Sequence, residues 1–244
     1  MNIALITGGS AGLGLATARE LAERNWTLIL DGRNPDRLRE VRSELSRRTK
    51  VTAIAGDVAD AGHRRALMTA LAQAGRLDLL MNNASTLGPI PLRPLVEIEP
   101  EQLHQVLAVN AIAPLELIRS ALGFLLAGDG VVLNVSSDAA IEHYERWGAY
   151  GLSKAALDHA SATLAAENPG LRIYSFDPGD MRTQMHQQAF LGEDISDRPD
   201  PATVVPTLLQ LLGAGGAQRR ASGRYRVADP GLGATDDHSA TARN

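Results

Sequence analysis

Short apolar runs alternate along this chain with longer segments whose apolar residues recur at helical spacing. Runs at Ile3–Thr7, Thr27–Asp31, Val51–Gly56, Leu77–Asn82, Gly130–Ser136, Arg172–Asp177 and Arg224–Val227 read as strands. Helices are expected to begin near Gly12, Pro35, Ala61, Pro100, Ala149 and Pro201. Asp60 and Glu99-Pro100 have the chemistry of helix starts, and Asn25 stands where a helix end would accept a left-handed residue. The alternation predicts an α/β fold, a doubly wound and mostly parallel seven-stranded sheet with helices on both faces.

Neither a fixed-period repeat nor a polar linker divides the chain, so one domain is expected over residues 1–228. Two stretches break the rhythm. Leu87–Glu97 carries three prolines and reads as a loop, and Met181–Asp200 is a longer insertion before the last helix. From Asp229 to Asn244 the chain is rich in Gly, Ala, Asp and Ser and is expected to form a flexible tail.

Composition narrows the chemistry. At 244 residues and 44% hydrophobic the chain can bury a large core, and the absence of cysteine excludes disulfides, thiolate catalysis and cysteine-based metal sites. Any redox chemistry must come from a cofactor. The six histidines show no metal-ligand spacing, so no metal is expected. The N-terminus lacks a basic stretch before a long apolar run, and no segment approaches the ~20 apolar residues that span a bilayer, so a cytoplasmic protein without membrane partners is expected. A net charge of −4 leaves no footprint for nucleic acid. The basic cluster Arg37, Arg39, Arg42, Arg47 and Arg48 is interleaved with Asp36, Glu40 and Glu44 and reads as a solvated helix face.

After the first strand, Thr7-Gly8-Gly9-Ser10-Ala11-Gly12-Leu13-Gly14 runs straight into a helix. Glycines there permit a tight turn and let a pyrophosphate approach backbone N–H groups at the positive end of the helix dipole, although a turn of this kind also serves geometry alone. The second strand ends Asp31-Gly32-Arg33, where a dinucleotide fold meets the adenosine ribose. Two signals compete at this point. An acidic side chain would favour the 2′-hydroxyl of NAD(H), whereas Arg33 can pair with the 2′-phosphate of NADP(H). Asp31 comes one position early and Gly32 clears space, so NADP(H) is favoured and NAD(H) is kept as the alternative.

By this point the residues resemble the short-chain dehydrogenase/reductase family, from Thr7 to about Thr183. The glycine loop has that family's Thr-Gly-x-x-x-Gly-x-Gly spacing. Asp57-Val58 looks like its adenine-contacting pair, and Asn82-Asn83-Ala84 resembles its Asn-Asn-Ala-Gly element, with Ser85 in place of the glycine. Asn110 resembles its structural and catalytic asparagine. Ser137 stands thirteen residues before Tyr150, which opens the Tyr150-Gly151-Leu152-Ser153-Lys154 pattern, and Pro178-Gly179 with Thr183 is similar to the segment passing the nicotinamide carboxamide. The resemblance implies a Rossmann-type fold and a catalytic set of Asn110, Ser137, Tyr150 and Lys154. It implies cofactor contacts from Thr7, Gly8, Ser10, Gly12, Leu13, Gly14, Arg33, Asp57, Val58, Asn83, Ala84, Tyr150, Lys154, Pro178, Gly179 and Thr183. It also implies a homodimer or homotetramer, and a substrate lid over residues 181–200 with Met185, His186, Phe190 and Leu191.

Tyr150 and Lys154 are four apart and share one helix face. Bringing a phenol from its ordinary pKa of roughly 10 to neutrality needs roughly 4 kcal/mol of preference for phenolate, which the lysine and an oxidised nicotinamide are expected to provide. The expected reaction moves a hydride between NADP(H) and a small-molecule carbonyl or alcohol. Tyr150 is the acid, Ser137 steadies the alkoxide, Lys154 holds the nicotinamide ribose and Asn110 anchors a water. Two other readings stay open: a non-catalytic dinucleotide sensor, and a nucleotide-sugar epimerase or dehydratase, against which Ala11 and the short C-terminal remainder argue.

Overall fold

The computed structural model describes residues 2–213 and 220–228. In chain order these form β1 (Ile3–Ile6), α1 (Gly12–Glu23), β2 (Thr27–Gly32), α2 (Pro35–Leu45), β3 (Val51–Ala55), α3 (Ala61–Ala72), β4 (Leu79–Asn82), α4 (Pro100–Leu107), α5 (Ala113–Gly128), β5 (Val131–Val135), α6 (Gly148–Glu167), β6 (Arg172–Asp177), α7 (Gln184–Ala189), α8 (Val205–Leu211) and β7 (Gly223–Arg226). The strands make one seven-stranded sheet in the order β3-β2-β1-β4-β5-β6-β7, and every pairing is parallel. The order reverses between β1 and β4, which opens a crevice at the carboxyl ends of those strands.

Each face of the sheet buries its own cluster. Ala4, Ile6, Leu28, Leu30, Leu79 and Met81 point to one side, against Leu13, Leu21, Val41 and Leu208 from α1, α2 and α8. Ile3, Leu5, Ile29, Leu80 and Val132 point to the other, against Leu67, Leu71, Leu117 and Leu125 from α3 and α5. Period-two alternation therefore sends apolar side chains into two cores at once, which is why the strands read as continuous apolar runs.

The helix starts follow the expected chemistry. Asp60 caps α3, Glu99 and Gln102 form a capping box on α4, and Asn25 is left-handed at φ +60. The α4–α5 segment departs from expectation. It runs through a π turn at Ala108–Ile112 as one helical stretch of 29 residues, long and apolar enough by length and composition to cross a bilayer. Of its most apolar window 44% is buried inside the protein, where Leu117, Ile118, Ala121 and Leu125 join the second core. That is the pattern of a core helix. The tail expected from Asp229 lies outside the described residues.

Candidate active site

The turn after β1 is tied down by β2 and β4. Gly8 N–H donates to Asp31 Oδ1 at 2.6 Å and Gly9 N–H to the Asp31 carbonyl at 2.9 Å. The Asn83 amide donates to the carbonyls of Thr7 and Gly8, while Thr7 Oγ1 accepts from the backbone N–H groups of Asn83 and Ala84. Glycine is required inside this knot. Gly8 has φ +64, and a Cβ at Gly14 would sit 2.6 Å from the Gly8 carbonyl oxygen.

A cavity of about 560 Å³ lies over the knot. Its walls include Gly8, Ser10, Gly12 and Leu13, then Arg33, Asp57 and Val58, then Asn83 and Ala84, and at the far end Ser137, Tyr150, Lys154, Pro178, Gly179 and Thr183. Segments more than a hundred residues apart thus converge. Thr7, Gly14 and Asn110 do not line it. Thr7 is buried with its hydroxyl spent on the β4 turn, and Gly14 is the packing gap between α1 and that loop.

The residues present fit a dinucleotide. Asn34 caps α2 and Asp60 caps α3 through their side chains, but Ala11 at the start of α1 offers no side-chain cap, so first-turn N–H groups stay open beside the cavity. Arg33 and Arg37 both line the same end. Arg37 is exposed, as expected of the solvated α2 face, and lines the cavity as well. It stands four residues after Arg33 in the first turn of α2 and donates to Gln184 Oε1 of α7 at 3.4 Å. A second arginine one turn beyond a strand-end arginine was the available signal.

At the far end, α6 presents Tyr150 and Lys154 on one face, with Lys154 Nζ 5.5 Å from the Tyr150 ring centre. The ammonium donates to the Val135 carbonyl at 2.7 Å, and burial pushes its pKa down to about 8, opposed by Asp158. The phenol does not behave as the helical spacing suggests. Burial pushes Tyr150 well above its ordinary value, hydrogen bonding with Ser137 and Ser85 pulls back toward phenolate, and Asp177 and Asp138 push up again. Desolvation outweighs the neighbouring cation in the protein by itself.

Ser137 Oγ donates to Asp138 Oδ1 at 2.9 Å, and Tyr144 donates to the other oxygen of Asp138. Asn110 is likewise committed. Its amide oxygen accepts from Thr86 N–H at 2.9 Å and from Ser85 Oγ at 3.2 Å, and its amide nitrogen donates to the Thr86 carbonyl and to Ser153 Oγ. The Asn110 side chain therefore braces the turn after β4 against α6. Ser85, which the sequence marked only as a departure from the family glycine, adds a hydroxyl to this cluster, and Asp138 adds a carboxylate.

Trp147 packs edge-on against Tyr150 at 5.7 Å and tilted against Phe190 at 6.1 Å, and Met181, Met185 and His186 complete that wall. Leu191 is exposed.

The family model described as short chain dehydrogenase matches residues 2–194. The uncharacterized oxidoreductase YciK of Escherichia coli K12 is 32% identical over 241 residues, covering 94% of this chain and 92% of that protein. Sepiapterin reductase of Bos taurus is 30% identical over 212 residues, covering 81% of this chain and 78% of its own. Among solved structures, a short chain dehydrogenase from Escherichia coli CFT073 complexed with NADPH superposes with a TM-score of 0.83 at 30% identity, covering 93% of this chain and 96% of the other. By these matches the chain belongs to the short-chain dehydrogenase family.

Proposed function

We propose that this oxidoreductase moves a hydride between NADP(H) and a small carbonyl or alcohol, acting as one dinucleotide-binding and catalytic domain over residues 1–228. The observation that carries the reading is a single cavity with a glycine turn and two arginines at one end and a buried, protonated phenol at the other. Arg33 and Arg37 supply the positive charge a 2′-phosphate requires, and the first turn of α1 supplies N–H donors for a pyrophosphate. A solved relative carrying NADPH supports the same choice.

When bound, NADPH supplies the hydride. In the reductive direction Tyr150 gives its phenolic proton to the carbonyl oxygen as the carbonyl carbon receives that hydride, so the C=O becomes CH–OH and the phenol becomes phenolate. The raised pKa of Tyr150 keeps that proton in place at neutral pH. Ser137 turns its hydroxyl from Asp138 to the developing alkoxide. Lys154, charged near neutrality, stabilises the phenolate and holds the nicotinamide ribose. Met181, Met185, His186 and Trp147 exclude water, with residues 181–200 as the lid. A homodimer or homotetramer working in the cytoplasm belongs to the same reading.

The test follows nicotinamide absorbance while a panel of ketones, quinones, 3-oxoacyl compounds and sepiapterin is offered with NADPH and with NADH. Turnover with at least one carbonyl, faster with NADPH, is the expected result. Saturable NADPH binding without turnover across the panel overturns the catalytic reading in favour of a sensor.

A further inference from the structure

Asp31, the last residue but one of β2, lies directly beneath the glycine turn, and its side chain is 1% exposed. One carboxylate oxygen accepts from Gly8 N–H at 2.6 Å, and the other lies 3.1 Å from Nε2 of His63, whose side chain is 5% exposed. His63 comes from the first turn of α3, where its backbone N–H donates to the Asp60 cap. Its ring fills the space that a side chain at Gly56 would take, since a Cβ there would collide with Nδ1. Three elements therefore cooperate to hold one imidazole against one carboxylate. Asp31, Arg33, Arg37 and Asp57 all line the same end of the cavity.

A buried carboxylate is out of place on the floor of an anion cradle. Left bare, it would repel both the pyrophosphate above Gly8 and a 2′-phosphate beside Arg33, and its burial keeps solvent from screening it. Burial raises the pKa of Asp31, and the neighbouring Asp57 raises it further. A histidine in contact offers the remedy, because an Asp and a His that share one proton carry no net charge whichever of them holds it.

We propose that His63 is a cofactor-selecting residue that never touches the cofactor. By sharing a proton with Asp31 it turns an acidic strand end, the mark of an NAD(H) site, into a neutral floor that admits the doubly charged phosphate of NADP(H). Asp31 then keeps a purely internal task, holding Gly8 through its N–H, while Arg33 and Arg37 meet the phosphate unopposed.

The inference rests on the NADP(H) reading above, and direct binding separates the two. Dissociation constants for NADPH and NADH are measured by fluorescence titration on the full chain, for the wild type, His63→Gln, His63→Asn and the double variant Asp31→Asn/His63→Gln. Both single changes keep an amide near Asp31 and remove the titratable proton. His63→Asn, the smaller, guards against failure of the longer side chain to fit over Gly56, and melting midpoints identify the folded variants. The expected result is a weakening of NADPH binding by roughly tenfold in the single variants, a smaller loss for NADH, and recovery of most of the NADPH affinity in the double variant. Equal losses for both nucleotides, no loss for either, or no recovery when Asp31 is neutralised would each overturn it. A wild type that binds neither nucleotide would defeat the functional reading as well.

Discussion

The guanidinium of Arg224, on the last strand, donates a 2.9 Å hydrogen bond to the main-chain carbonyl of Ser137. The same group donates to Asp177 Oδ2 at 3.2 Å and to Asp158 Oδ2 at 3.0 Å. Asp158 lies one turn beyond Lys154 on α6. Arg224 thus ties the serine segment after β5 to the helix that carries Tyr150 and Lys154. Arg224→Met takes the hydrogen-bonding cation away from Asp158 and from the buried Asp177, which keeps only Arg226 at 3.9 Å, and is expected to cost about 2 kcal/mol of stability. Turnover should fall roughly tenfold while the NADPH dissociation constant stays near the wild-type value. Arg224→Lys should recover part of the turnover, and steady-state kinetics beside a denaturant titration checks all three outcomes.

Tyr150→Phe removes the proton donor and leaves the ring against Trp147. Turnover is expected to fall by about 10²–10⁴-fold with NADPH binding preserved, the range typical of a positioned acid. Single-turnover absorbance and fluorescence titration measure the two quantities separately.

Burial lowers Lys154 from its ordinary 10.5 to about 8. Between those two values the unfolded chain binds a proton that the folded protein has released, so folding stability rises with pH across that window. The penalty for burying the charge is fully present below about pH 8 and is relieved as pH climbs toward 10.5. Lys154→Met should flatten this rise, by at most about 3 kcal/mol. Urea midpoints of the nucleotide-free proteins across the window supply the comparison.

Arg33→Ala and Arg37→Ala each remove one cation from the proposed phosphate end. Each is expected to weaken NADPH by roughly tenfold and to leave NADH nearly unchanged, lowering the ratio of the two affinities. A ratio identical to the wild type in both variants would take the 2′-phosphate away from this end of the cavity.

Gly14→Ala places a Cβ within 2.6 Å of the Gly8 carbonyl and 2.5 Å of the Asn83 amide. The knot must open to admit it. Stability is expected to drop by about 1–3 kcal/mol, and NADPH affinity with it, since the same turn shapes the cradle. Thermal melting with and without NADPH reads both effects.

What the chain's own order of residues determined is the local and periodic part of this protein. The seven strands lie within a few residues of the runs that announced them, and in β1, β2, β4, β5 and β6 burial on two faces leaves a signal at nearly every position. Asp60, Glu99 and Asn25 act where their backbone chemistry calls for them. The family resemblance likewise picked out Ser137, Tyr150 and Lys154, and of these Tyr150 and Lys154 share a face of α6 because they stand four residues apart. Charge balance was decided by the tertiary structure, because it depends on which distant groups meet out of water. The lysine was expected to act on the phenol together with an oxidised nicotinamide, and in the protein by itself desolvation governs it. Asp31 looked like a competitor for the ribose, and only the fold brings His63 from α3 and Gly8 from the β1 turn onto its two oxygens. A pairwise contact between residues 32 positions apart has no period to betray it, and its energy exists only once the sheet has closed over both partners.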